Sequence, residues 1–233
     1  MVFPLINTIL IITISTVLLI IIYKLFLDKS KKSKKNNIMI IGPSGSGKTT
    51  FFYFLLGHKN IKTVASMQIN KVKNFASQIL SNINTYDITD IPGTGYFKEK
   101  IIDLLPTSII TLLFIDSTQK NSIVQAAEYL YDILNSDKYN EDIHLCICCN
   151  KQDGDFPKSK KMIENELNKE IENLIKIKQK NNLEEKEQFG TLFQMKGKFA
   201  MKNFNNVSFL ETDVKSEYAT VVKKIKDVLE LEK

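Results

Sequence analysis

Arginine is missing altogether, so every one of the 32 basic residues is Lys. A chain without guanidinium groups makes no bidentate fork to phosphate or carboxylate, and phosphate recognition must then rest on Lys, backbone amides and metal. Cysteine is scarce: Cys146, Cys148 and Cys149 are the only three in 233 residues, too few for a disulfide scaffold. Strand alternation would put Cys146 and Cys148 on one face and Cys149 on the other, and no second Cys pair or His cluster stands at zinc-binding spacing. They read as small buried residues. His58 and His144 read as packing or surface residues. Charge is absent from Val2 to Tyr23. A hydrophobic content of 43% excludes a disordered tail protein, and no internal repeat divides the chain, so one packed domain with an appendage is expected.

The appendage is N-terminal. Leu5 to Tyr23 is dominated by Ile, Leu, Val and Thr, and about 20 apolar residues are enough to cross a bilayer core of roughly 30 Å. A cleavable secretory signal would need a basic start, a shorter apolar run and a small-residue cleavage site, and none is present. Lys24, Lys29, Lys31, Lys32, Lys34 and Lys35 follow against a single Asp28, so this block supplies five of the formal six net positive charges. By the positive-inside rule the block stays cytosolic. Residues 1–4 are then a short lumenal end, 5–23 a transmembrane helix, 24–36 a Lys-rich cytosolic linker, and 37–233 a nearly neutral domain. The charge excess orients an anchor and is no sign of direct nucleic-acid binding.

That domain opens with the apolar run Ile38–Ile41, fit for a buried strand, and passes into Gly42-Pro43-Ser44-Gly45-Ser46-Gly47-Lys48-Thr49 before a helical stretch. This is the G-x-x-x-x-G-K-[ST] pattern in strand-to-helix context. Small residues let the backbone amides of Gly42, Ser44, Gly45, Ser46, Gly47 and Thr50 wrap a phosphate at a helix N-terminus; Lys48 reaches the β- and γ-phosphates and the Thr49 hydroxyl ligates Mg²⁺. A second strand closes on Asp90-Ile91-Pro92-Gly93, where Asp90 would hold Mg²⁺ through water and the Gly93 amide would meet the γ-phosphate. Asn150-Lys151-Gln152-Asp153 follows a third apolar run. One carboxylate accepts both the ring N–H and the exocyclic amine of guanine, so Asp153 selects GTP or GDP, with Asn150 bracing the loop and the Lys151 stem over the ring.

These motifs, in this order behind an apolar N-terminus, resemble the beta subunit of the signal recognition particle receptor, a family of membrane-anchored small GTPases. Phe114-Ile115-Asp116-Ser117, Ala127–Tyr131, Gly197-Lys198-Phe199 and Val207–Glu211 extend the likeness beyond the common boxes. The resemblance implies a guanine loop at Thr212-Asp213-Val214-Lys215, which keeps only the Lys of the family's Ser-Ala-Lys, so that Asp213 and Val214 act through their backbone. It implies a first switch at Thr63-Val64-Ala65-Ser66, with Thr63 closing over Mg²⁺ and Ser66 as the alternative. Thr94 stands where many small GTPases carry a Gln that orients the attacking water; the receptor family lacks that Gln as well. No catalytic residue is firmly assigned, and with no Arg in cis the expectation is a switch with very slow intrinsic hydrolysis.

The fold implied is a P-loop GTPase of the Ras and ADP-ribosylation-factor type, a mainly parallel α/β sheet with helices on both faces. Strands are expected at 38–41, 83–91, 109–115, 143–149 and 207–210, with one more between Thr63 and Ile79. Helices are expected at 47–56, 122–134, 158–177 and 216–231, and a polar mobile loop at 178–188. By resemblance the partner is the receptor alpha subunit at the endoplasmic reticulum membrane, with the signal recognition particle and ribosome reached through it. A transmembrane-anchored traffic GTPase cycling by stimulated hydrolysis is the alternative.

Overall fold

A computed structural model describes residues 13–20, 23, 35–58, 61–76, 79–80, 85–140, 142–181, 192 and 198–231. The chain divides into two units, Met1–Lys34 and Lys35–Lys233. In the first, residues 13–20 and Tyr23 are helical with exposed apolar side chains, and Thr16 Oγ1 donates to the Thr13 carbonyl at 2.9 Å. No helix among the described residues is long and apolar enough to cross a membrane. Most of the expected anchor at 5–23, and the linker from 24 to 34, lie outside the described residues.

The second unit is built on a six-stranded sheet: β1 (Asn37–Ile41), β2 (Asn70–Phe75), β3 (Tyr86–Asp90), β4 (Ser108–Asp116), β5 (His144–Asn150) and β6 (Val207–Glu211), in the spatial order β2-β3-β1-β4-β5-β6. All pairings are parallel except β2 with β3. Strands buried on both faces read as continuous apolar runs, and β4 (Ser-Ile-Ile-Thr-Leu-Leu-Phe-Ile-Asp) is buried along its whole length. Strand β2 is the exception. Its exposed Lys71 and Lys73 mark an edge, where charge discourages pairing with another chain. It is the strand expected between Thr63 and Ile79.

The helices are α1 (Lys48–Leu55), α2 (Lys98–Leu104), α3 (Lys120–Leu134), α4 (Lys160–Asn181) and α5 (Ala219–Leu231). Period-two alternation sorts each strand between two cores. Met39, Ile41, Leu113, Ile115, Ile147 and Cys149 join residues of α2, α3 and α4, whereas Ile38, Ile40, Leu112, Phe114, Cys146 and Cys148 join α1 and α5. Helices therefore cover both faces, and the cysteines split between them as their alternation requires.

Helix α4 docks by a narrow stripe: Ile163, Leu167 and Ile171 are fully buried amid Lys and Glu. It continues through Asn181, four residues further than expected, so 178–181 are helix rather than loop; Lys178 and Lys180 in its last turn suit the negative end of the helix dipole. Residues 182–190 lie outside the described residues. Helix α2 was not expected. Its seven residues are too few to establish a period, yet Ile101 and the following Leu105 are buried.

Candidate functional site

Parallel strands all point their C-terminal ends one way, and in such sheets ligand sites form in the crevice beyond those ends. Here β1, β3, β4, β5 and β6 end at Ile41, Asp90, Asp116, Asn150 and Glu211, and the Gly42–Thr49, Asp90–Gly93, Asn150–Asp153 and Thr212–Lys215 motifs begin at or just after four of those ends, while Thr63–Ser66 lies between α1 and β2. A cavity of about 440 Å³ is lined by Ser44, Gly45, Gly47, Lys48, Thr49, Thr50, Thr63 to Ser66, Pro92, Gly93, Asn150, Lys151, Asp153, Val214 and Tyr218. Its size suits a small-molecule ligand.

The phosphate loop takes its shape from glycines. Gly42, at φ 134, lies so close to β4 that a Cβ would strike the Phe114 carbonyl, and Gly47, at φ 98, caps α1 where a Cβ would strike Asn150 Nδ2. Asn150 is thereby drawn in: its Nδ2 donates to the Ser46 carbonyl at 2.8 Å, tying the end of β5 to the loop after β1. Lys48, only 5% exposed, folds back and donates to the Pro43 carbonyl at 2.6 Å. Burial lowers its pKa to about 8, against the opposing charge of Asp90. The unfolded chain would keep this proton up to the ordinary 10.5, so the desolvation penalty is full below about 8 and fades as pH rises from 8 to 10.5. Without nucleotide, the stability of the protein relative to Lys48→Met should therefore rise across that window in thermal melts; a flat difference would show that Lys48 keeps its proton.

At the far side of Lys48, Thr49 Oγ1 donates to Asp90 Oδ2 at 2.9 Å and lies 3.1 Å from Ser66 Oγ. Thr63, the residue favoured as a metal ligand, instead pairs with Thr50, Oγ1 to Oγ1 at 3.0 Å. Of the hydroxyls of Thr63 and Ser66, it is that of Ser66 that the geometry brings to Thr49. The resemblance implies Thr63 for that role with Ser66 as the alternative, and distance along the chain says nothing of which hydroxyl folds inward. Burial raises the pKa of Asp90, only partly offset by hydrogen bonds from Asn70 and Thr49 and by Lys48. Its Oδ1 is buried with no hydrogen-bond partner. An orphaned carboxylate oxygen beside two hydroxyls fits a hard cation that keeps several waters and takes its remaining ligands from phosphate, as Mg²⁺ does. Among the described residues no group of three or more His, Cys, Asp or Glu could cage a metal unaided. Thr94 is exposed in the loop that follows, its carbonyl accepting from Phe97 N at 3.2 Å.

At the other end of the cavity, Lys151 sits in a left-handed backbone, φ 63, and its Nζ meets Asp116 Oδ2 at 2.6 Å. Asp116 is nearly fully buried at the end of β4, and its Oδ1 accepts from Thr118 N at 3.0 Å and Thr118 Oγ1 at 2.6 Å. Burial would raise its pKa, but the bonds from Lys151 and Thr118 outweigh it and hold the carboxyl below its ordinary value. Gln152 Nε2 donates to Ser117 Oγ, the Cys149 carbonyl and the Lys158 carbonyl at 2.9, 3.2 and 3.1 Å, locking the loop from behind. Asp153 faces the cavity, with Lys215 Nζ 3.8 Å away and largely exposed. Asp213 Oδ1 accepts from Ser216 N at 2.6 Å, so its side chain shapes the turn, while Val214 lines the cavity. Tyr218, in contact edge-on with Phe51 at 5.0 Å, backs this end with an aromatic wall. Asp116, Gln152 and Tyr218 escaped the sequence reading as site residues. Asp116 stood in the quoted Phe-Ile-Asp-Ser run, and its signal was an acidic residue closing an otherwise apolar strand.

The pattern describing the signal recognition particle receptor beta subunit matches residues 33–214. The mouse receptor beta subunit is 31% identical over 152 residues, which are 62% of this chain and 54% of that protein. The human beta subunit is 26% identical over 178 residues, 73% of this chain and 63% of its own length. The matches thus span little more than half the length of those relatives. Among solved structures, one of the mammalian signal recognition particle receptor superposes with a TM-score of 0.65 at 23% identity, covering 82% of this chain and 99% of that one. A receptor complex from Chaetomium thermophilum, described as SRb-GTP/SRX, superposes with a TM-score of 0.57 at 19% identity, covering 78% and 91%.

Proposed function

The chain belongs to the signal recognition particle receptor beta-subunit family, and from that premise we propose that it is a GTP-binding docking subunit that holds the receptor alpha subunit at the endoplasmic reticulum membrane. The observation that carries this reading is the meeting of the phosphate loop, the Asp90–Gly93 loop and the Asn150–Asp153 loop on one cavity. Each end of that cavity suits one part of a guanine nucleotide. The amides of Gly45 to Thr49 and the Lys48 ammonium would hold the phosphates, and Asp153 would accept both donors of the guanine edge while Lys151, anchored on Asp116, lies along the ring. Thr49 and Ser66 would hold Mg²⁺ by their hydroxyls, with Asp90 acting through water, and the chemistry supplied there would be neutralisation of phosphate charge.

A switch needs contacts that differ between di- and triphosphate. Gly93 and the Thr63–Ser66 segment line the phosphate end, and beside them the apolar side chains of Val64, Met67 and Tyr96 are 87%, 87% and 89% exposed. Ordered by GTP, that surface would receive the alpha subunit; the similar protein from Chaetomium thermophilum is described in a complex with GTP and SRX. The apolar segment 5–23 would anchor the pair with the sheet domain in the cytosol. With Thr94 at the usual Gln position and no Arg in cis, hydrolysis by the chain alone would be slow.

Purification of the full chain from membranes in mild detergent tests the proposal. A stable heterodimer with the alpha subunit that retains guanine nucleotide is expected. A monomer whose GTP turnover is strongly stimulated by an activating protein would instead assign it to the traffic GTPases.

A further inference from the structure

The two oxygens of Asp90 have different surroundings. Oδ2 accepts from Thr49 Oγ1 at 2.9 Å and from Asn70 Nδ2 at 3.0 Å, whereas Oδ1 is buried and has no hydrogen-bond partner. Asn70 is the first residue of β2 and lies directly opposite Asp90 in the antiparallel β2–β3 register. Directly opposed residues bring their Cβ atoms within about 5 Å, close enough for a side-chain amide to reach a carboxylate. Strand pairing therefore delivers this amide, whichever rotamer Asp90 would choose alone. The same Nδ2 stands 3.5 Å from Ser66 Oγ, which in turn lies 3.1 Å from Thr49 Oγ1. One amide thus touches a residue from each side of the metal end: the strand that carries Asp90 and the switch that carries Ser66.

An amide NH₂ donates and does not ligate a cation. By occupying Oδ2 it leaves Oδ1 as the oxygen free to accept from a metal-bound water. We infer that Asn70 is a positioning residue of the cation site, holding Asp90 Oδ2 so that Oδ1 is presented to hydrated Mg²⁺, and coupling the edge strand β2 to the occupancy of the phosphate end. The inference rests on the guanine-nucleotide reading above. A purely structural Asn70, stitching β2 to β3, would affect nucleotide binding equally with and without the metal. A positioning Asn70 acts only on the increment the metal supplies, and partners of metal ligands typically govern metal affinity by about 10- to 100-fold.

The test compares affinity for a fluorescent guanosine diphosphate in excess Mg²⁺ and in EDTA, on the detergent-solubilised full chain. Asn70→Leu, close in size and without donors, should lower the ratio of the two affinities roughly tenfold, with the EDTA affinity held within about twofold. Lys73→Ala, an exposed neighbour on the same strand, should leave the ratio unchanged. A ratio for Asn70→Leu equal to that of the unaltered protein, or an equal loss in both conditions, overturns the inference alone. No guanine nucleotide binding by the unaltered protein overturns the functional reading and the inference with it.

Discussion

Asp153→Asn should lower affinity for guanosine nucleotides by on the order of 100-fold, the largest effect expected of any single side chain at the base end. Among the described residues lining that end of the cavity, Asp153 has the one side-chain carboxylate able to accept two adjacent donors. Replacing one oxygen by an NH₂ leaves one donor of guanine unpaired and opposes it with another, and a desolvated unpaired donor costs about 1–3 kcal/mol. The same substitution should improve binding of xanthosine nucleotides, because their second exocyclic group is a carbonyl that the new amide can meet. Equilibrium titration of both nucleotides against both proteins gives the crossover directly, and an unchanged preference for guanine would refute the base assignment. Lys215→Ala should do much less, since that side chain is 77% exposed and meets Asp153 only at 3.8 Å.

The second large effect is expected where no side chain exists. A Cβ at Gly93 would strike Ser44 N and stand 2.6 Å from both the Gly42 oxygen and the Pro43 carbonyl carbon, all of them backbone atoms. Backbone cannot rotate away as a long side chain can, so Gly93→Ala must push the Asp90–Gly93 loop off the phosphate loop at a cost of about 1–3 kcal/mol. Nucleotide affinity should fall between about tenfold and 100-fold, with the cooperative melt of the sheet retained because the sheet cores lie behind this loop. Gly95→Ala is the matched control. Nothing lies within 4 Å of a Cβ there, and binding should be unaltered. Equal losses for both variants would show that loop stiffness, not close approach, governs the site.

The sheet was legible in the chain because strands buried on both faces write long, mainly apolar runs: Ile109–Ile115 and Ile143–Cys149 are interrupted only by Thr111 and His144. Strand β2 was foreseen only by resemblance. At the edge it buries little, and Asn-Lys-Val-Lys-Asn-Phe carries no apolar run to betray it. Motifs whose chemistry sits in consecutive residues, such as Gly42 to Thr49 and Asn150 to Asp153, were readable for the same local reason. Contacts made across the sheet were not. Asn70 with Asp90, Lys151 with Asp116, and Ser66 rather than Thr63 beside Thr49 depend on register and on how a loop folds back, and neither is written in spacing along the chain.

Strand order also sets a timetable. The cavity is walled by Ser44 just after the first strand and by Val214 just after the last, and among the described residues β6 pairs only with β5. During synthesis the phosphate loop emerges well before the wall that completes the guanine end, which waits until β6 and Val214 have left the ribosome. Contacts this distant in sequence form late and slowly. Retention of guanine nucleotide would accordingly wait for β6, and a bound nucleotide would certify that synthesis had passed Val214.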